Sequence, residues 1–348
     1  MNNMKTLLTT LLLFLAAAAV AGEPEKLSFN KEGEFKIVQF TDLHLGKDAA
    51  KNQAVYDLMG SILDEEKPDF VVLSGDVVTH DSVQARWDAL VQVMASRGIR
   101  WTAVLGNHDE EHKLSRREIQ AIIAGQPGAV MNPAPEDVAG ACNQVIAISG
   151  SKGNDTEALL YFFDTHAYTR FKGIGKYDWV DLSQLVWYRD QSRAFTEANG
   201  GEPLPALAFF HIPLPEYLEA WNSMETNHWG TRNEKGGWPY LNSGLFTQFV
   251  EAGDVMATFA GHDHVNDYIA CLYGIALAYG RGTGGATTYG DQVPGARVIV
   301  LHEGERTFDT WIRERGNDRR VDECTYPSSF ENKGPGGWMR RAMARQRR

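Results

Sequence analysis

The sequence predicts an α/β domain with a largely parallel main sheet and a second sheet packed against it. Strand-like apolar segments at residues 35–40, 70–73 and 101–105 alternate with two segments whose apolar residues repeat at helical spacing. That alternation is typical of βαβ crossovers, which make neighbouring strands parallel. In addition, short polar clusters follow the strand-like segments, at the edge where such sheets bind ligands.

The helices of the first half are recognised by the spacing of their apolar residues. The first is predicted at residues 54–66, where apolar side chains form one stripe and the Lys-Pro pair that follows ends the helix. A second stripe closes near Gly98. Ser115 and Glu118 have the spacing of a capping box, which predicts a short third helix.

The second half contains further strand-like and helical segments but neither an internal repeat nor a linker. Residues 125–143 and 221–243 lack a clear period and are predicted to be loops. A helix is predicted at 185–198, and a helix face at 245–250. Strands are predicted at 145–148, 159–163, 206–210, 255–259, 268–279, 297–301 and 308–312. The last three are expected to form the second sheet.

The N-terminal segment, residues 1–21, is predicted to be a secretory signal peptide. Lys5 precedes an apolar run that ends in the small-x-small sequence Ala-Val-Ala. A membrane anchor is the alternative, but the run is short for a bilayer span, no cysteine follows it, and no later segment could cross a membrane. We therefore expect an exported protein, periplasmic or extracellular, with one domain at 22–315 and a C-terminal extension at 316–348.

The charge distribution argues against a nucleic-acid track as partner. The formal net charge is −11, and the five arginines of residues 340–348 leave about −17 on residues 22–339 once the leader is removed. Phosphate backbones are held by basic surfaces, which this acidic body does not offer. The arginine tail is predicted to be solvated. The three cysteines are too few for a disulfide scaffold, although export would allow one bridge.

Five polar clusters follow strand-like segments and together carry the residue types that bind metals. Carboxylates, imidazoles and one amide are the ligands that two adjacent divalent cations need. The glycines beside them allow the chain to turn close to an ion. The clusters are Asp42-Leu43-His44, Gly75-Asp76, Gly106-Asn107-His108-Asp109, His211 and Gly261-His262-Asp263-His264.

Alternation along an extended chain predicts which side chains share an ion. Residues i and i+2 point the same way, so Asp42 and His44 can reach one ion together, as can His262 and His264. The residue between the two histidines then points away and is predicted to be structural. Asp76 follows its glycine alone and is placed to bridge two ions with its two oxygens.

The motif order D-x-H, GD, GNH[DE], H and GHxH resembles that of the calcineurin-like metallophosphoesterases over residues 35–302. The resemblance implies the α/β fold of that family, a four-layer α/β/β/α sandwich with two mixed sheets. It also implies two divalent metal ions as cofactors. One metal would be held by Asp42, His44 and His264, the second by Asn107, His211 and His262, with Asp76 as the bridge.

The resemblance also assigns the catalytic residues and a branch of the family. His108 would be the acid beside the leaving oxygen, and Asp109 would orient its ring. Segments 210–213 and 242–246 resemble the purple acid phosphatase-like branch. The chain departs from true purple enzymes, because His44 replaces a glycine and Thr79 replaces the iron-binding tyrosine. The metals are therefore left open among Mn, Fe and Zn.

The implied activity is hydrolysis of phosphoric esters by a metal-bound hydroxide, with a small phosphomonoester as substrate. Two cations ~3.5–4 Å apart lower the pKa of a bound water toward ~7 and clamp the phosphoryl oxygens. A phosphodiesterase of the same fold and a catalytically silent metal-bound binding protein are the alternatives. Candidate substrate-pocket residues, from two loops rich in glycine and aromatic residues, are Glu234, Tyr240, Arg281 and Tyr289.

Overall fold

The computed structural model describes residues 26–133, 135–223, 225–284 and 292–331, so the predicted leader, the arginine tail and Tyr289 lie outside the described residues. The strands are β1 (Glu34–Phe40), β2 (Phe70–Ser74), β3 (Arg100–Val104), β4 (Gln144–Ser149), β5 (Thr156–Phe162), β6 (Ala206–Phe209), β7 (His228–Trp229), β8 (Val255–Ala260), β9 (Ile269–Leu272), β10 (Ile275–Tyr279), β11 (Gly295–His302), β12 (Phe308–Glu314) and β13 (Asn317–Tyr326). The α-helices are α1 (Ala49–Glu66), α2 (Val83–Ala95), α3 (Arg116–Ala124), α4 (Leu182–Ala198), α5 (Glu216–Asn222) and α6 (Leu245–Ala252).

The first sheet has the strand order β13-β12-β11-β1-β2-β3. β1, β2 and β3 pair in parallel, as the strand-helix alternation predicts, whereas β11 pairs antiparallel with β1. The prediction that the last strands belong to the second sheet is therefore wrong for β11 and β12. β11 covers an edge of β1 that would otherwise be unpaired, and β12 pairs with β11. β13 pairs with β12 and carries this sheet beyond residue 315, where the domain was predicted to end.

The second sheet has the strand order β4-β5-β6-β8-β10-β9-β7. β5, β6, β8 and β10 are parallel, and β4 and β9 pair antiparallel beside them. The single strand predicted at 268–279 is a hairpin of β9 and β10. Its turn contains Tyr273 and Gly274, both with positive φ (47° and 85°), and this break is hidden by the apolar residues on either side.

The two sheets pack face to face, and helices cover their outer faces. Inward-facing residues such as Ile37, Val72, Phe209 and Phe259 form the core between the sheets. The other face of the first sheet packs against α1, α2 and α3, and that of the second sheet against α4, α5 and α6. The protein is thus a four-layer α/β/β/α sandwich with two mixed sheets, as expected.

Side-chain caps explain where α1, α3 and α4 begin. α1 begins at Ala49 instead of residue 54, because the Asp48 side chain accepts hydrogen bonds from the first turn. α4 likewise begins at Leu182 instead of residue 185, behind a capping box at Asp181. The capping box at Ser115 is present as predicted. α5 and β7 were not predicted, and they interrupt the loop expected at 221–243.

The described residues allow two further observations, on membrane-spanning helices and on the cysteines. None of their helices combines the length and the apolar character that crossing a membrane requires. Cys142, Cys271 and Cys324 are buried free thiols, so the bridge that export would allow is not formed.

Candidate metal centre

The five polar clusters come together at one edge of the sandwich. Each follows the carboxyl end of a strand, namely β1, β2, β3, β6 or β8. The side chains form two groups whose candidate ligand atoms lie within 4.8 Å of one another, and Asp76 belongs to both. The groups are Asp42, His44, Asp76 and His264, and Asp76, His211 and His262. The resemblance implies the same two groups with Asn107 added to the second, and these groups show the proximity of the side chains and not a bound metal.

The backbone brings these side chains together by left-handed conformations. Asp42, His44, Asp76 and His262 have φ values of 54°, 48°, 50° and 77°. The prediction that Asp42 and His44 share a face by extended alternation is therefore wrong in its mechanism, since the chain turns sharply after β1. Such conformations cost about 1–3 kcal/mol each in non-glycine residues and are concentrated at functional sites.

Glycines permit the close approach of the loops, as predicted. A Cβ at Gly106 would lie 2.1 Å from Asp76 Oδ1, and a Cβ at Gly261 would lie 2.0 Å from Thr41 Oγ1. Neither contact is possible for a larger residue without moving the loop that carries a predicted ligand.

Each of the two central carboxylates has one oxygen bound by the protein and one turned into the cluster. Asp42 Oδ2 accepts hydrogen bonds from Thr41 Oγ1 (2.8 Å) and His262 N (3.0 Å), and Asp76 Oδ1 accepts one from His108 N (2.8 Å). Asp42 Oδ1 and Asp76 Oδ2 accept none. A bridge through both oxygens of Asp76 is therefore wrong, because only Oδ2 faces both groups.

Two candidate ligands that are not carboxylates, His211 and Asn107, are oriented in the same way. His211 Nδ1 lies 2.8 Å from the carbonyl oxygen of Ser74, which directs Nε2 to a point 3.2 Å from Asp76 Oδ2. Asn107 Nδ2 donates to the hydroxyl of Tyr168 (3.2 Å), while Asn107 Oδ1 is buried without a partner. Outer hydrogen bonds of this kind orient metal ligands. The mixed N/O donor set suits Mn, Fe or Zn.

Without metals, protons balance the charge of the cluster. Burial disfavours a charged imidazole, yet Asp76 and Asp42 raise the pKa of His211 to about 9. Burial and the neighbouring His211 lower the pKa of His262 to about 3. Burial opposes ionisation of Asp76, but His211 outweighs it and lowers the pKa of that carboxyl. A cation here would therefore replace a proton.

His108 lies at the open side of the site, and its partner is not the predicted one. His108 Nδ1 lies 2.9 Å from Glu111 Oε1. The Asp109 carboxylate instead accepts hydrogen bonds from the backbone N–H groups of Val77, Val78 and Gly106. The role of Asp109 as the orienter of His108 is therefore wrong, because its side chain turns inward and joins two ligand loops. Glu111 takes that position.

A two-stranded ribbon at residues 167–178 forms a wall of the site that the sequence did not reveal. Tyr168 and Tyr177 face each other across it, with ring centroids 6.0 Å apart. The Tyr168 hydroxyl accepts from Asn107 and donates to Glu111 Oε1 (3.1 Å), and the Tyr177 ring lies 4.5 Å from that of His262. The ribbon has no hydrophobic period. Its cluster of aromatic and basic residues was the one available signal.

A buried ion pair holds the loop that follows β3. Asp164 accepts hydrogen bonds from Arg116 Nε (2.9 Å) and Nη2 (2.5 Å). The same guanidinium donates to the carbonyl oxygens of Leu105 and Gly106, directly before Asn107. Despite burial, Arg116 lowers the pKa of Asp164.

The predicted pocket residues have different outcomes. Glu234 lies beside the site, where Oε1 accepts from Val265 N (2.9 Å). Tyr240 is 72% exposed and packs on Gly175 of the ribbon. Arg281 is wrong as a pocket residue, because it is buried in ion pairs with Asp267 and Glu314. As predicted, the Asp263 carboxylate points away from the cluster and accepts from Tyr279 and Gly237.

Comparison with known proteins identifies the family of this chain. Residues 35–266 match the model of the calcineurin-like phosphoesterases. The chain is similar to "Probable inactive purple acid phosphatase 14" of Arabidopsis thaliana, with 35% identity over 315 residues, 80% of this chain and 77% of that protein. It is also similar to "Phosphatase DCR2" of Saccharomyces cerevisiae, with 32% identity over 352 residues, 88% of this chain and 58% of that protein.

The fold is shared with solved structures. A dimetal phosphatase from Danio rerio superposes with a TM-score of 0.56 at 14% sequence identity, over 84% of this chain and 98% of that chain. At this identity the likeness concerns the fold alone. The relatives named as purple acid phosphatases fit the predicted branch. The extent of the family match and the identity to the plant relatives show that this chain belongs to the calcineurin-like phosphoesterase family.

Proposed function

We propose that this chain hydrolyses small phosphomonoesters with the help of two divalent metal ions, and that it does so after export. The observation that carries the proposal is a set of four buried polar atoms that lack hydrogen-bond partners among the described residues. They are Asp42 Oδ1, Asp76 Oδ2, Asn107 Oδ1 and His211 Nε2, of which Asp76 Oδ2 and His211 Nε2 form an ion pair at 3.2 Å without a well-directed hydrogen bond. An unpaired buried polar group costs about 1–3 kcal/mol. Since all four belong to predicted ligands, cations would satisfy them together.

The chain's own residues supply the remaining chemistry. Two divalent cations in this site would lower the pKa of a bound water and offset charge on the phosphoryl oxygens. Glu111 accepts from His108 Nδ1, which leaves Nε2 as the nitrogen that hands a proton to the leaving oxygen. Asp109 and Arg116 hold the two loops that carry Asp76 and Asn107.

A catalytically silent binding protein is the second candidate, because three relatives carry the word inactive in their names. Against it, this chain has a residue of the expected type at all seven predicted ligand positions and at His108. The closely grouped ligand atoms support metal binding, which both candidates share.

Metal removal and reloading tests the proposal. The protein would be stripped with a chelator, reloaded with Mn, Zn or Fe, and assayed with p-nitrophenyl phosphate and its bis-nitrophenyl diester, while metal content is measured by mass spectrometry. We expect two metals per chain and faster hydrolysis of the monoester. Faster diester hydrolysis would favour the phosphodiesterase alternative. Two bound metals without hydrolysis of either ester would favour the silent protein.

A further inference from the structure

Lys176 places a positive charge on the two tyrosines that line the metal centre. Its Nζ lies 4.8 Å from the ring centroid of Tyr177 and 5.5 Å from that of Tyr168, and it donates to the Tyr177 hydroxyl (3.0 Å). The Tyr177 ring contacts that of His262, and the Tyr168 hydroxyl accepts a hydrogen bond from Asn107. The ammonium group is therefore one side chain away from two predicted ligands of the same metal.

The charge of Lys176 is exposed and is not neutralised by a carboxylate. Among the described residues, no carboxylate oxygen lies within ion-pair distance of its Nζ. The buried cations Arg116 and Arg281, by contrast, are paired with Asp164 and Asp267. An ammonium group has three donors, so the bond to Tyr177 leaves two for a ligand.

The surroundings favour an anion over a planar ring. Lys176 lies over the rings of both tyrosines, so the aromatic pair beside the metal centre carries an ammonium group. Residues 167–178 carry Arg170, Lys172 and Lys176 against one carboxylate, Asp178, and the carboxylate of Glu111 joins the ribbon at the Tyr168 hydroxyl. A local positive field beside a site concentrates anionic ligands there.

The geometry points to a substrate whose leaving group carries a second phosphate, which Lys176 binds while the scissile phosphate lies at the metal centre. This inference rests on the proposed function and names the substrate class of that site. Hydrogen bonds between an ammonium group and a phosphate are charge-assisted and stronger than neutral ones. A flexible lysine accepts a phosphate as a point charge, without the fixed planar geometry that arginine imposes. Small metabolites that carry two phosphates, such as sugar bisphosphates, have the charges that this inference requires.

A matched pair of substrates isolates the second phosphate. Glucose 6-phosphate and glucose 1,6-bisphosphate would be compared by kcat/KM on the metal-loaded protein. We expect a preference of ~10-fold or more for the bisphosphate, lost in Lys176→Gln and largely kept in Lys176→Arg. Turnover of glucose 6-phosphate should stay within ~2-fold in both variants, because the lysine contacts only the second charge.

Lys172→Gln is the control, since it removes the same charge from the same ribbon away from the tyrosines. An equal loss in this variant, or equal losses on both substrates in Lys176→Gln, would overturn the inference. If wild type hydrolyses both esters equally well, the inference fails while the proposed function stands.

If no ester is hydrolysed with any metal, the proposed function fails and the substrate assignment fails with it. Calorimetry then tests the remaining part of the inference, that Lys176 binds a second phosphate. Both sugar phosphates would then be titrated into the same metal-loaded proteins. Affinity ~10-fold higher for the bisphosphate in wild type, but not in Lys176→Gln, would support it. Equal affinities in wild type would overturn it.

Discussion

The metal centre and the ribbon at residues 167–178 are two sides of one site, yet they are built differently. Most of the predicted ligands are buried, and each cluster follows the end of a strand. The ribbon contains neither a regular strand nor a helix, and Tyr168 remains 40% exposed. The sheets thus position the ligands, whereas a few side-chain contacts position the ribbon.

This difference predicts two kinds of response to mutation. A change at the metal centre should remove metals, activity or stability, because buried polar groups there have no alternative partner. A change at the ribbon or its contacts should leave the metals bound and alter rate or selectivity by modest factors. The predictions below test that division, beginning with the largest effect.

Asp76→Asn should have the largest effect, since Asp76 Oδ2 is shared by both groups of candidate ligands. An amide oxygen without charge holds cations poorly, so metal content should fall below two per chain. Because the metals would stabilise the transition state by several kcal/mol, their loss would reduce kcat/KM by ~10³-fold or more. Mass spectrometry and ester hydrolysis measure the two quantities.

Asp263→Asn is the matched control, because Asp263 is also a buried carboxylate beside the site but faces Tyr279. It should keep both metals. Equal metal loss in both variants would show that buried charge in general, and not the shared oxygen, retains the metals.

Asp164→Asn should be the most destabilising of the changes behind the ligands. It leaves the buried guanidinium of Arg116 without its close partner, and breaking such a pair costs about 3–5 kcal/mol. Denaturant unfolding of the metal-free protein measures the loss. Asp64→Asn is the comparison, since Asp64 forms the same two-bond contact with Arg97 on the surface and should matter little. Similar losses in both would contradict the role of burial.

The metal-free protein should lose stability as the pH rises from 7 to 8.5. The pKa of His211 is raised to about 9 in the folded protein, against ~6.5 in an unfolded chain. The stabilisation is therefore complete below pH ~6.5 and is lost as the pH rises toward 9, in total roughly 3 kcal/mol. His211→Gln should remove this slope. A slope that persists in that variant would assign it to another group.

The contrast between the two sides also explains what could be predicted from sequence. The ligands could be placed because each follows an apolar strand and is flanked by glycines with a recognisable steric purpose. The direction in which a side chain leaves a turn could not be predicted from the sequence. Asp109 was assigned to His108 because they are neighbours, whereas the turn brings Glu111 to the ring.

Long-range pairing and local contacts account for the other differences. β11 lies beside β1 although more than 250 residues separate them. The hydrophobic pattern of a strand does not identify the distant strand with which it pairs. Arg281 follows the end of β10, as the predicted metal ligands follow their strands. Its side chain is nevertheless buried, because it forms ion pairs with Asp267 and Glu314. The ribbon depends on aromatic contacts that have no spacing rule.

Glu111→Gln should show the smallest effect, at the junction between the ribbon and the metal centre. A neutral amide still accepts from His108 Nδ1, but it stabilises the protonated ring less than a carboxylate does. We expect kcat for esters with poor leaving groups to fall ~10-fold, with smaller losses for nitrophenyl phosphate, whose leaving oxygen needs little proton transfer. Metal content should not change.

Glu110→Gln, which removes the neighbouring charge near Arg116, should leave both rates within ~2-fold. If Glu111→Gln slows both esters equally, Glu111 supports the fold of the loop and not the proton donor. The residues at the ribbon would then not act on rate separately from the metal centre.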